Sequence, residues 1–170
     1  GSSLLRDWQQ DLLDKSVDAI GGSLANSFQG TLDWHTGHCD LAANRDLPDP
    51  DSTHSRYVCG FNPEQKADDT LLVGRVTDAT GDVRATLTNY ACHPTTLAWD
   101  NRAISPDYVG AMRETIEQAT GGLSLFMLGA CGELAPRNQY VSDPSIADQH
   151  GRTLAHSTLA TLNNMEPPAT

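Results

Sequence analysis

Between residues 83 and 128 the hydrophobic period of the chain changes twice, which restricts its fold more than any other feature. Val83, Ala85 and Leu87 alternate with Thr86, Thr88 and Tyr90, the two-residue repeat of a strand that runs on toward His93. Ser105-Pro106-Asp107 then carries the signals of a helix start. Ser105 suits the N-cap, Pro106 the first helical position and Asp107 the positive end of the helix dipole. Val109, Met112, Ile116 and Ala119 follow at helical spacing, and Gly121-Gly122 supplies a stop. Leu123 to Leu128 is a short apolar run, the pattern of a buried strand. Upstream, Leu71 to Val76 is a further strand candidate, joined to the alternating segment through a Thr80-Gly81-Asp82 turn as a hairpin.

The remaining segments fit around this unit. Leu4, Leu5, Trp8, Leu12, Leu13, Val17 and Ile20 predict a helix over 4–20, which Gly21-Gly22 can stop or interrupt. Residues 31–43 read as extended about a Thr36-Gly37 turn. Residues 46–69 are the least regular stretch, broken by Pro48, Pro50 and Pro63. Ile146, Leu154, Leu159 and Leu162 predict a last helix over about 145–163, interrupted at His150-Gly151, with His150 and His156 on its surface. Helix, strands, helix, strand, helix is the order of an α/β (or α+β) fold, a layered mixed sheet flanked by helices. A length of 170 residues suits a single domain spanning 1–170.

Charge narrows the function. Eleven Lys and Arg stand against 22 Asp and Glu, a net charge of −11. Electrostatic binding to a nucleic-acid backbone or an anionic membrane is therefore not expected, and no apolar run has the length of a transmembrane helix. Cys39, Cys59, Cys92 and Cys131 form no CxxC pair, which disfavours a zinc ribbon. Their spacing selects none of the three possible disulfide pairings; buried free thiols are the simplest expectation.

Candidate chemistry lies where loops leave strands. In Cys92-His93-Pro94-Thr95 the proline restricts the backbone of His93, so the imidazole is presented in a fixed direction, as metal ligation or acid–base work requires. The small residues Gly129-Ala130-Cys131-Gly132, followed by Glu133, let a substrate approach the backbone and expose amide donors. Cys131 is itself a candidate thiol nucleophile. Arg45, in Asn44-Arg45-Asp46, could clamp a carboxylate or phosphate, or simply pair with a nearby Asp. His35, His38 and Cys39 lie close in sequence, but in an extended segment His35 and His38 point to opposite faces unless Gly37 turns the chain. Glycine-rich phosphate loops, the GxSxG elbow and the HExxH helix are not found.

Taken in order, Asn44-Arg45, Asn89-Tyr90-Ala91-Cys92-His93-Pro94-Thr95, Ile104-Ser105-Pro106-Asp107-Tyr108-Val109-Gly110 and Phe126 to Arg137 resemble the N-terminal catalytic domain of the neutral/alkaline (non-lysosomal) ceramidases. The resemblance covers roughly residues 30–160. It implies a zinc-dependent amidohydrolase that cuts the N-acyl bond of a lipid amide such as a sphingolipid, and a secreted or periplasmic location. It implies that His93 is a zinc ligand and that Arg45 lines the active site. Asn44, Asp107 and Glu133 take structural or supporting places around them. The family has Ser-Asn ahead of its Gly-Asp-x-x-Pro loop where this chain has Gly129-Ala130, and Glu133 replaces the Asp. Of the zinc ligands that the resemblance implies, this chain contains His93. The resemblance thus makes residues 1–170 a segment of a larger ceramidase-like domain. Two alternatives stay open: a non-catalytic binding domain of the same fold, and an unrelated α/β domain in which Cys131 is a thiol nucleophile paired with His93.

Overall fold

The structure is a computed structural model and describes residues 3–167. The chain divides into two compact units, Gly1–Gly30 and Thr31–Thr170. The first holds helix α1, Ser3–Ala25, which passes straight through Gly21-Gly22 rather than stopping there. Nothing crowds either glycine, and the helix ends at Asn26, whose backbone N–H donates to the Gly22 carbonyl at 3.1 Å. None of the residues of α1 is buried.

The second unit is built on a four-stranded sheet. Its strands are β1 (Gly30–His38), β5 (Thr70–Asp78), β6 (Val83–Tyr90) and β7 (Leu123–Leu128), in the order β1-β5-β6-β7. Two small antiparallel ribbons flank it: β2 (Ala42–Asn44) with β8 (Leu134–Pro136), and β3 (Asp46–Pro48) with β4 (Tyr57–Cys59). Helices α2 (Tyr108–Thr120) and α3 (Pro144–Asn163) pack on each other, α2 against β7 and α3 against β5. This is an α+β arrangement with a mixed sheet: β5 and β6 are antiparallel, β6 and β7 parallel.

Local chemistry explains most boundaries. Asp78 caps the hairpin turn by accepting from the N–H groups of Thr80 and Asp82, while Gly81 takes a φ of 90° that other residues resist. Helix α2 starts two residues later than its sequence suggests. Asp107, not Ser105, is the N-cap: its carboxylate accepts the Tyr108 N–H at 2.7 Å, and the Ser105 hydroxyl accepts the Asp107 N–H at 3.1 Å. Gly121, at φ 72°, closes the helix as expected.

Several expectations need correction. The segment 31–38 does not turn at Gly37; β1 runs through it, and a Cβ there would lie 2.0 Å from the Thr161 hydroxyl oxygen. His35 and His38 accordingly stay separate and exposed, and His38 faces Asp69 at 3.2 Å. The irregular stretch 46–69 contains the ribbon β3–β4, whose Pro48 suits an edge rather than a central strand. Helix α3 is not interrupted at His150-Gly151. A Cβ on Gly151 would lie 2.3 Å from the Tyr108 carbonyl oxygen, so the glycine is what lets α3 lie against α2. Nor is β7 a buried strand: Leu123, Leu125 and Met127, on the face turned away from α2 and α3, are exposed, and so is Leu128 at its end.

The core lies between that covered face and the two helices. Leu71, Val73, Tyr90, Cys92, Tyr108, Met112, Ile116 and Leu154 are wholly buried there. Tyr108 meets Phe126 edge-on, with ring centroids 5.9 Å apart.

Candidate active site

The strand β6 ends at Tyr90, and its continuation carries Cys92 and His93. Tyr90 anchors this end. Its hydroxyl donates to the Cys39 carbonyl at 2.7 Å and accepts the Ala42 N–H at 2.9 Å, fixing the chain just before β2. Tyr108 donates to the carbonyl of Cys92 from the other side. Burial pushes the phenols of Tyr90 and Tyr108 and the thiol of Cys92 well above their ordinary values, so all three keep their protons at neutral pH.

Three parts of the chain distant in sequence meet at residues 132–134. The backbone N–H of His93 donates to the Leu134 carbonyl at 2.9 Å. The N–H of Arg45 donates to the Glu133 carbonyl at 2.8 Å. The Arg45 guanidinium donates twice to the Gly132 carbonyl, from Nε at 3.0 Å and Nη2 at 2.8 Å. The ribbon β2–β8 holds this meeting point in register, with Asn44 opposite Leu134 and Ala43 opposite Ala135. Asn44 is buried and its side-chain oxygen accepts the Asp46 N–H at 3.0 Å.

Among the described residues Arg45 makes no salt bridge with an Asp; its guanidinium contacts a backbone carbonyl. Two of its five donors are spent on Gly132, which leaves donors on an unneutralised cation beside the loop.

The small-residue loop divides into two. Gly129 belongs to the scaffold: its N–H donates to the Tyr90 carbonyl at 3.0 Å, and a Cβ would lie 3.1 Å from the backbone of Ala91. The next residues are open. Ala130 and Gly132 are exposed, and nothing approaches the Gly132 Cβ position within 4 Å. The N–H groups of Ala130, Cys131, Gly132 and Glu133 donate no hydrogen bond among the described residues. Cys131 is buried, and burial pushes its thiol up; Arg45 pulls it the other way and Glu133 adds to the rise. A resting thiolate is disfavoured by this balance.

His93 makes its hydrogen bonds through its backbone, and among the described residues no group of three or more His, Cys, Asp and Glu side chains is placed to hold a metal ion. A catalytic zinc takes about three protein ligands, so these residues do not by themselves form its site.

Some residues of the site gave no warning in the sequence. Thr96 Oγ1 lies 2.9 Å from Nδ1 of His150, which is half-buried and not on the helix surface. His156 does stay exposed. Gln139 accepts from the Thr95 hydroxyl at 3.2 Å. Asn62 caps its own turn by accepting the Glu64 N–H and donates to the Asp46 carbonyl; the Asn-Pro pair at 62–63 was the only local hint of it. Beside Asn44 and Glu133 lies a cavity of about 530 Å³, walled by Leu47, Pro48 and Tyr57 and carrying the carboxylates of Asp46, Glu64 and Glu133.

No protein-family model matches this chain, and no curated protein matches it. Solved structures do. A neutral ceramidase from Pseudomonas aeruginosa superposes with a TM-score of 0.68 at 19% identity, over 87% of this chain and 25% of that one. A ceramidase complexed with C2 gives a TM-score of 0.64 at 19% identity, over 81% of this chain and 23% of that one. The chain thus spans about a quarter of the length of the structures it matches, and in fold it is similar to that part of the neutral ceramidases.

Proposed function

We propose that this chain is a segment of a ceramidase-like amidohydrolase domain acting on an N-acyl amide, with His93, Arg45 and the loop 129–133 at the reacting bond. The observation that carries this is the convergence of His93 and Arg45 on the carbonyls of residues 132–134, within a ceramidase-like fold. The free amides of Ala130 to Glu133 and the unneutralised guanidinium are donors suited to the charge that develops on a carbonyl oxygen under attack. Arg45 also fixes the loop that presents those amides. Asp107, Asn44 and Glu133 hold the surrounding backbone.

Zinc enters this reading as a group for which His93 would be one ligand, the others coming from outside the described residues. When bound, zinc polarises a carbonyl and activates water. The substrate class is a lipid amide, whose acyl chain the apolar wall of Leu47, Pro48 and Tyr57 near Glu133 would suit. The thiol reading is weakened by the burial of Cys131 and the rise of its pKa.

The test uses a longer polypeptide that includes this chain, assayed on N-acyl amides bearing a long-chain base and a small polar amine. The expected result is turnover that falls about 100-fold or more in His93→Ala and about tenfold or more in Arg45→Ala, with metal content falling in His93→Ala alone. Absence of turnover on every amide, with the metal present, would leave a binding domain of ceramidase-like fold. Turnover that needs no metal and falls in both Cys131→Ser and His93→Ala would leave the thiol enzyme.

A further inference from the structure

The segment that follows His93 is held from three sides. The Tyr140 N–H donates to the Thr95 carbonyl at 3.0 Å, and the Val141 N–H to the Thr96 carbonyl at 2.9 Å. The Leu97 N–H donates to the Asp107 carboxylate at 2.7 Å. From α3, His150 Nδ1 meets the Thr96 hydroxyl at 2.9 Å. Two of the residues that supply these anchors, Asp107 and Tyr140, have positive φ, at 55° and 59°, and Ser142 beside them has 56°. They are the non-glycine residues with positive φ among those described. Such conformations persist where the surroundings over-determine them, and they gather at sites that must hold one geometry.

Thr96 is wholly buried, and among the described residues His150 is the partner of its hydroxyl. Without that imidazole the hydroxyl would be an orphan in the interior. Gly151, next along the helix, lies against the Tyr108 carbonyl, so the close approach of α3 that sets the place of His150 is itself written in the sequence.

We infer that His150 is a positioning residue, holding Thr96 and through it the His93–Leu97 segment in the geometry that presents the His93 ring. This rests on the proposed role of His93. Burial lowers the His150 pKa, and the nearby Asp107 carboxylate opposes the shift. The ring is therefore uncharged at neutral pH, and with the proton on Nε2 its Nδ1 accepts from the Thr96 hydroxyl.

Asn places its side-chain oxygen near the position of Nδ1, whereas Gln reaches toward Nε2 and Ala offers no acceptor. Amide hydrogen exchange of Leu97 and Val141 should accelerate about tenfold in His150→Ala and His150→Gln and return close to the wild-type rate in His150→Asn. Thr96→Val, which removes the same bond from its other end, should match His150→Ala, and the double variant should be no faster than either. Unchanged exchange at both amides in His150→Ala and Thr96→Val would overturn the inference. So would a His150→Asn chain that exchanges as fast as His150→Ala. If His150→Ala does not fold, Thr96→Val and His150→Asn decide by the same rates. Exchange reads the segment whether or not the chain hydrolyses an amide, so a failed hydrolysis assay would count against the proposed activity and not against this contact.

Discussion

The two faces of the four-stranded sheet invert the usual rule. The face under α2 and α3 pairs Leu71 with Tyr90, Val73 with Thr88 and Arg75 with Thr86, and continues onto Ser124 and Phe126 in β7. Much of it is polar, yet Thr86, Thr88 and Ser124 are wholly buried and their hydroxyls lack partners among the described residues. The opposite face carries Leu72, Leu87, Leu123, Leu125 and Met127 beside Trp34, which packs on Gly74. It is more apolar, and Leu72, Leu123, Leu125, Met127 and Trp34 on it are exposed. The contrast teaches that burial here follows from where the helices lie, not from side-chain hydrophobicity. An apolar sheet face of this extent is unusual on a free surface. It fits the proposal that this chain is one layer of a larger domain, as does its coverage of about a quarter of the ceramidase chains.

The largest effect should come from the covered face. Leu71 is wholly buried opposite Tyr90. Leu71→Ala should cost about 2–5 kcal/mol, the range for a large-to-small change in a packed core, measured by denaturant unfolding of the chain. A cost below about 1 kcal/mol would mean that this face is loosely packed and would break the contrast at its stronger end.

A smaller effect, of opposite sign, should come from the same face. Thr88 keeps a buried hydroxyl without a partner. Thr88→Val retains the branched shape and removes the orphan, so stability should hold or rise by up to about 1 kcal/mol. A loss of similar size would show that the hydroxyl is bonded in solution, and the polar character of the covered face would then be a network rather than an accident of position.

This inversion is also where the sequence stops being legible. The strand β6 could be read from its alternation, and helix α2 from Ser105-Pro106-Asp107 and Gly121, because those signals are local. Which side of β6 turns inward could not, since Val83, Ala85 and Leu87 look like the better core and yet Thr86, Thr88 and Tyr90 are covered. Only the packing of α2 and α3 decides it. Gly151 looked like a break in a helix and is a contact between helices, for the same reason. In the site, His93 and Arg45 were visible as residues, one by its proline and both by family resemblance. Their meeting at residues 132–134 depends on the β2–β8 ribbon, whose strands of three residues are too short to leave a periodic signal. His150 was invisible because its partner Thr96 is 54 positions away.

The smallest effect should come from the uncovered face, and it is the sharpest test of the contrast. Leu125 lies midway along the edge strand β7, beside Leu87 of β6, and is 48% exposed. Leu125→Thr exchanges an apolar side chain for a polar one that suits a strand equally well. If the face meets water, little transfer energy is lost and the change in stability should stay within about 0.5 kcal/mol. Self-association of the chain should fall at the same time, because an exposed apolar patch is what drives copies together; sedimentation at several concentrations reads this directly. A cost approaching that of Leu71→Ala would mean that the face is a second core in solution. The inversion would then vanish, and with it the reason for treating this sheet as one exposed layer of a larger domain.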